Sequence, residues 1–186
     1  MVPLLSLGIP IFVSAVIVFV ASSIIHMVLP FHRNDLKRFP KEDEIMDAVR
    51  RFNAPPGDYA APHAGSPAGM KNPEFVEKMA KGPILLMTIA PGGPPSMGTS
   101  LALWFLYSVV VSFCSAYIAS RAVGPGAHYL AVFRFVGCAS FMGYSLALLQ
   151  NSIWYKRSWC TTLKSIFDGL IYGLLTAGTF GWLWPR

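Results

Sequence analysis

LSLGIPIFVSAVIVFVASSIIHMVL, residues Leu5–Leu29, holds one ionisable side chain, His26, in a run long enough to cross a bilayer. A hydrocarbon core about 30 Å thick needs about 20 mostly apolar helical residues. Three further stretches meet that length, Ser100–Ser120, His128–Gln150 and Leu163–Trp184. Outward from the first, the chain reads as an all-α integral membrane protein with four transmembrane helices in a bundle. The expected divisions are residues 1–30 for the first helix, 31–99 for an insert with two short helices, and 100–186 for the remaining three helices. A three-span reading would demote the last stretch, which is too apolar for that.

Composition agrees with a membrane solvent. The chain is 54% hydrophobic and 13% charged, against roughly 25% charged in soluble domains. Its net charge of +6 raises the question of nucleic acid. The insert Phe31–Thr99, however, carries nine Lys/Arg and eight Asp/Glu, so most of the excess lies at helix ends and within helices. A nucleic-acid footprint is a clustered basic face on a soluble domain. No nucleic-acid partner is expected; the lipid bilayer is, and possible protein partners are other membrane subunits or a second copy.

Topology follows from the same charges. Arg33, Lys37, Arg38 and Lys41 follow the first span, and Lys156, Arg157 and Lys164 flank the start of the fourth. Lys and Arg near span ends are retained in the cytoplasm, so the expected orientation is N-out and C-out with the insert cytoplasmic. The first span lacks a basic leader and a small-x-small cleavage site, and reads as a retained helix rather than a removed signal. Trp104, Trp154, Tyr155 and Trp159 fall near the inner interface, and Tyr129, Trp182 and Trp184 near the outer one, where amphipathic rings are favoured.

Small residues recur at every fourth position in three spans. Ser165, Gly169, Gly173, Ala177 and Gly181 make one row, Ser108, Ser112, Ala116 and Ser120 a second, and Ala139, Gly143 and Ala147 a third. Residues four apart overlie one another on a helix, and such rows let backbones approach closely where lipid supplies no hydrophobic driving force.

Within the insert, Lys41-Glu42-Asp43-Glu44 followed by Ile45, Met46, Val49 and Phe52 predicts a short amphipathic helix. Asn72 as N-cap, Pro73 in the first turn and Gly82-Pro83 as the stop predict a second. Ala54–Gly69 reads as loop. Pro83–Ala90 is too short to span and reads as an extended segment under the mouth of the bundle, with irregular Pro91–Gly98 behind it.

Ionisable groups inside spans are costly and mark candidate sites. They are His26, Arg134 and Asp168. Lys164, four residues before Asp168, offers that carboxylate a partner on one helical face, and Tyr172 continues the face. A cluster of His26, Lys164, Asp168 and Tyr172 would relay protons or hold a small polar ligand. The competing reading is an interfacial Lys–Asp pair with a histidine bonded to nearby backbone, and an Arg134 that snorkels outward.

Metal and cofactor signals are weak. His26 and His32 are off the i,i+4 spacing that aims two imidazoles at one metal, and His26 and His128 lie near opposite surfaces. Cys114, Cys138 and Cys160 form no CxxC pattern, and no GxxxxGK[ST], HExxH or GxSxG is present. No metal or other cofactor and no catalytic residue is expected. The runs IHMVLPFHRND, PPGDY, NPEFVEKMAKGP and DGLIYGLLTAGTFGWLWP are similar to bacterial inner-membrane proteins, and imply that location without implying an activity. Two functional expectations follow. One is a non-enzymatic accessory or structural subunit of a membrane complex. The alternative is a small transporter, or a proton- or ligand-handling protein, using the intramembrane His/Asp cluster. An enzyme acting on lipid or quinone ranks below both.

Overall fold

The computed structural model describes residues 1–94 and 96–186. In chain order the elements are α1 (Gly8–Ser23), α2 (Glu42–Arg51), β1 (Gly57–Ala61), α3 (Pro73–Lys81), β2 (Leu85–Ile89), α4 (Met97–Ala122), α5 (Tyr129–Ser145), α6 (Leu149–Ile153) and α7 (Trp159–Leu183). Among the described residues four helical segments are long and apolar enough to cross a membrane: Leu4–Val28, Met97–Ala122, Tyr129–Ile153 and Trp159–Leu183. The first combines a 3-10 turn, α1 and a π-helical turn, and the third joins α5 to α6 through a 3-10 turn.

The chain divides into two compact units, Met1–Leu36 with Ser96–Arg186, and Lys37–Pro95. In the first unit α1 packs on α4 and α7, and α5 packs on α4 and α7, so the long helices contact one another in the cyclic order α1–α4–α5–α7. Phe31–Leu36, assigned to the insert from sequence, belongs with the helices.

Glycine sets the closeness of α7 to α5. A Cβ at Gly169 would collide with the Ser145 hydroxyl and stand 3.2 Å from Tyr144 Cβ, while at Gly173 it would lie 3.3 Å from the Phe141 backbone. At Gly181 it would press on the Tyr129 ring at 2.6 Å. On α4, Ser108, Ser112, Ala116 and Ser120 are all fully buried, and Ser14 of α1 donates to Ser112 Oγ at 3.0 Å. The row on α5 differs from expectation. Its buried face is Val132, Val136, Ser140 and Tyr144, whereas Ala139 is half-buried and Gly143 and Ala147 are exposed. Gly143 still touches α4, because a Cβ there would meet Val111 at 3.0 Å. Where the glycines of α7 come close to α5 they meet Tyr129, Phe141, Tyr144 and Ser145.

The second unit has a two-stranded antiparallel sheet in which Tyr59 pairs with Met87 and Asp58 with Thr88. Thr88 Oγ1 donates to Asp58 Oδ1 across the strands at 2.6 Å. The strand Gly57–Ala61 lies inside the stretch read as loop, and Leu85–Ile89 is its partner. Neither strand shows the alternation that signals one from sequence, and each acquires its ladder only by meeting the other. The predicted helices are present as α2 and α3, and the Glu74 amide donates to Asn72 Oδ1 at 2.9 Å. Gly82, at φ +59°, closes α3 in a backbone conformation that side-chain-bearing residues disfavour.

Candidate functional site

The polar site begins where the first span stops being an α-helix. Beyond Ser23 the chain forms a π-helical turn over Ile24–Val28, closed by the Leu29 amide donating to Ile24 O at 3.1 Å. Such turns insert a residue into the helical ladder and recur at functional positions. Pro30 follows, and the residue before a proline is driven out of the helical region. Leu29 is accordingly extended, with ψ 143°. Pro30–His32 then make a tight turn, which brings the His32 ring to 4.4 Å from that of His26, edge on.

His32 joins two carboxylates. Its Nδ1 lies 2.6 Å from Asp35 Oδ2 and its Nε2 2.8 Å from Asp168 Oδ2 on α7. The second contact is at ion-pair distance, and the other carboxylate oxygen, Asp168 Oδ1, is buried with no hydrogen-bond partner among the described residues. Asp168 is only 3% exposed. An unsatisfied buried polar atom costs about 1–3 kcal/mol, and a carboxylate oxygen is an expensive atom to leave so.

Lys164 anchors the far side. Its ammonium donates to Asp35 Oδ1 at 2.9 Å and to Phe31 O at 2.7 Å, and lies over the Phe31 ring. Partial burial works to raise the Asp35 carboxyl, but hydrogen bonds from His32 and Lys164 outweigh it and hold the group below its ordinary value. The order of contacts is therefore Lys164–Asp35–His32–Asp168, with His26 against the imidazole.

Two cavities meet this line. One of about 420 Å³ is lined by His26, His32, Arg33, Asp35, Leu36, Arg157 and Ser165. The other, about 330 Å³, is apolar apart from Asp168 and is lined by Ile25, Leu29, Pro30, Phe31, Phe167 and Ile171. Farther along α7 the Tyr172 ring meets the Tyr144 ring at 5.5 Å, and both phenolic oxygens are buried without a hydrogen bond among the described residues. Trp104 packs against both rings and donates its indole N–H to Ser22 Oγ at 2.7 Å.

Of the residues singled out from sequence, His26, Lys164, Asp168 and Tyr172 gather in this region, though with different partners. Lys164 takes Asp35 rather than Asp168. Arg134 makes no contact with the cluster; it is exposed on α5 and lines a separate cavity with Cys138, Phe141 and Leu174. Sequence spacing gave no joint site for His26 and His32, whereas the fold brings their rings to 4.4 Å. His26, His32 and Asp168 each offer one ligand atom, all within 4.8 Å of one another. The i,i+4 rule holds within one α-helix, and here a π-turn and a proline reversal separate the two imidazoles. His32 and Asp35 were missed as site residues. Their three-residue spacing after Pro30, at the end of a span, was the available signal.

No known protein family, no curated protein and no solved structure matches this chain.

Proposed function

We propose that the protein is a multi-pass membrane protein that binds and handles a small polar ligand at the His26–His32–Asp168 cluster. One observation carries the reading: a carboxylate on a membrane-length helix is buried with an unpartnered oxygen, beside a cavity lined by His26 and His32. A purely structural ion pair would be cheaper if fully hydrogen-bonded or replaced by apolar side chains. Intramembrane ionisable groups that persist unpartnered fit ligand or ion handling.

On this reading the four long helices form a bundle in a bacterial inner (plasma) membrane. The Lys and Arg residues beside the first and fourth spans favour the cytoplasmic side for the cluster and the insert, with both termini outside.

A second reading, an accessory subunit of a membrane complex, draws on the exposed Met46, Phe52, Val76 and Met79 of the Lys37–Pro95 unit. The tight contacts of Gly169, Gly173 and Gly181 within the chain weaken it, because those small-residue faces are already used.

The two separate in one measurement. Thermal unfolding of the detergent-solubilised protein is followed across a panel of metal ions, phosphate, carboxylates and small amines. A ligand present at 100 times its dissociation constant stabilises by about 2.7 kcal/mol. The ligand reading predicts a panel member that raises the midpoint in the wild type and not in Asp168→Asn. If no member does so, the reading fails and the subunit role gains.

A further inference from the structure

We infer that His26, His32 and Asp168 form a binding site for a divalent transition-metal ion of the zinc class. The inference rests on the ligand-site reading above and names the chemistry of the ligand.

The donor set is two imidazoles and one carboxylate, with all three ligand atoms inside 4.8 Å. Metal–nitrogen and metal–oxygen bonds of about 2.0–2.2 Å in a tetrahedron put neighbouring ligand atoms about 3.3 Å apart. The 2.8 Å from His32 Nε2 to Asp168 Oδ2 therefore has to open by a few tenths of an ångström, and His26 has to close in. His26 has room to do so, exposed at the edge of a cavity of about 420 Å³.

The surroundings of His32 strengthen the assignment. A metal-bound histidine ordinarily gives its other ring N–H to a carboxylate, which selects the tautomer and aims the ligating nitrogen. His32 does so here through Nδ1 to Asp35 at 2.6 Å, and Lys164 holds Asp35 from behind at 2.9 Å. Nε2 is left facing Asp168 with no hydrogen-bond partner among the described residues.

Ligand chemistry narrows the ion. Mixed nitrogen and oxygen donors suit zinc and its first-row neighbours, whereas magnesium and calcium prefer oxygen alone. An anion is opposed by the buried Asp168 carboxylate. Asp168 brings a negative charge to the ion, and Asp35, itself paired with Lys164, supports His32 from behind, while Arg33 and Arg157 stand exposed on the cavity wall, where solvent screens them. Three protein ligands leave a coordination position open, the arrangement of exchangeable rather than purely structural sites.

The test uses full-length protein in mild detergent, stripped with a chelator and titrated with Co²⁺ and then Zn²⁺. The expected result is one ion per chain, an intense visible Co²⁺ absorption typical of four or five ligands, and displacement by Zn²⁺. His32→Ala and Asp168→Asn should weaken binding at least 100-fold, and Asp35→Asn by about 10–100-fold as an outer-shell residue. His63→Ala, on the Lys37–Pro95 unit, should leave binding unchanged. Should the ligand variants fail to fold, pulsed EPR of the Cu²⁺-loaded wild type decides: couplings from two imidazoles support the site, and one or none overturns it. Absence of stoichiometric binding, or equal binding by well-folded His32→Ala, also overturns it. If metals fail while another panel compound stabilises the wild type and not Asp168→Asn, only the metal assignment falls. If nothing stabilises the wild type, the metal assignment and the ligand-site reading fall together.

Discussion

Lys164 passes over Asp168, its neighbour one turn along α7, and places Nζ 2.9 Å from Asp35 Oδ1, a residue 129 positions earlier in the chain. A helix ordinarily offers a lysine its carboxylate four residues away. Here Asp168 turns inward to His32, and Lys164 stays at the rim with 22% of its side chain exposed. The cation thus stabilises the carboxylate that orients the imidazole, and leaves the deeper carboxylate without a cationic lysine partner. A site of this form keeps a negative group available for an incoming ligand.

Removing either half of that pair should cost stability. Lys164→Met and Asp35→Asn are each expected to destabilise the protein by about 1–3 kcal/mol, because each strands a partly buried charged group. The double variant should lose less than the sum of the two, since neither partner is then stranded. Unfolding midpoints in detergent for the wild type and all three variants check this. Strict additivity would show that the pair contributes nothing.

Asp168 should behave in the opposite way. On the proposed ligand-site reading, its buried, unpartnered oxygen is a cost carried for function, and binding residues are commonly traded against stability. Asp168→Asn is expected to match or exceed the unliganded wild type in thermal stability while losing any ligand-induced rise. A variant markedly less stable than the wild type, with no ligand present, would mean that Asp168 serves the fold.

The approach of α7 to α5 has its own probe. Gly169→Ala brings a methyl into the Ser145 hydroxyl and to 3.2 Å from Tyr144 Cβ, and overpacking of this kind costs about 1–3 kcal/mol. Gly178→Ala meets nothing closer than the Tyr129 hydroxyl at 3.6 Å and should be close to neutral. Equal midpoints for the two variants would refute the close contact at Gly169.

In the Lys37–Pro95 unit, Lys78 donates to Glu74 at 2.6 Å and holds that exposed carboxyl below its ordinary value. A group whose folded pKa is depressed stabilises above its unfolded pKa and loses that contribution as pH falls through the folded one. Amide protection of α3 in the full-length protein, compared at matched intrinsic exchange rates, should therefore fall as pH drops below the ordinary glutamate range. Glu74→Gln should flatten that part of the profile. A Gln variant with the wild-type profile would assign the effect elsewhere.

Several of these features are legible in the amino-acid sequence alone. The Asn72 cap and Gly82 stop of α3 could be read because capping is decided within a few residues. The strand pair was not, since Gly57–Ala61 and Leu85–Ile89 carry no strong pattern of their own and are joined only by the ladder between them. The small-residue row on α7 could be read from spacing. The buried face of α5 could not, because it depends on which sides of that helix α4 and α7 cover.

By itself, then, the sequence set out four helical runs long and apolar enough to cross a membrane. The length and apolarity of those runs can be read without any partner, and His26 and Asp168 stand out within them as ionisable groups. The tertiary structure decided which groups meet. A π-turn and a proline reversal carry His32 back to His26, and the packing of α7 on the first span and on α5 brings Lys164 and Asp168 to residues more than a hundred positions away. Helical periodicity relates neighbours along one helix, whereas this site joins side chains whose proximity exists only once the helices have packed.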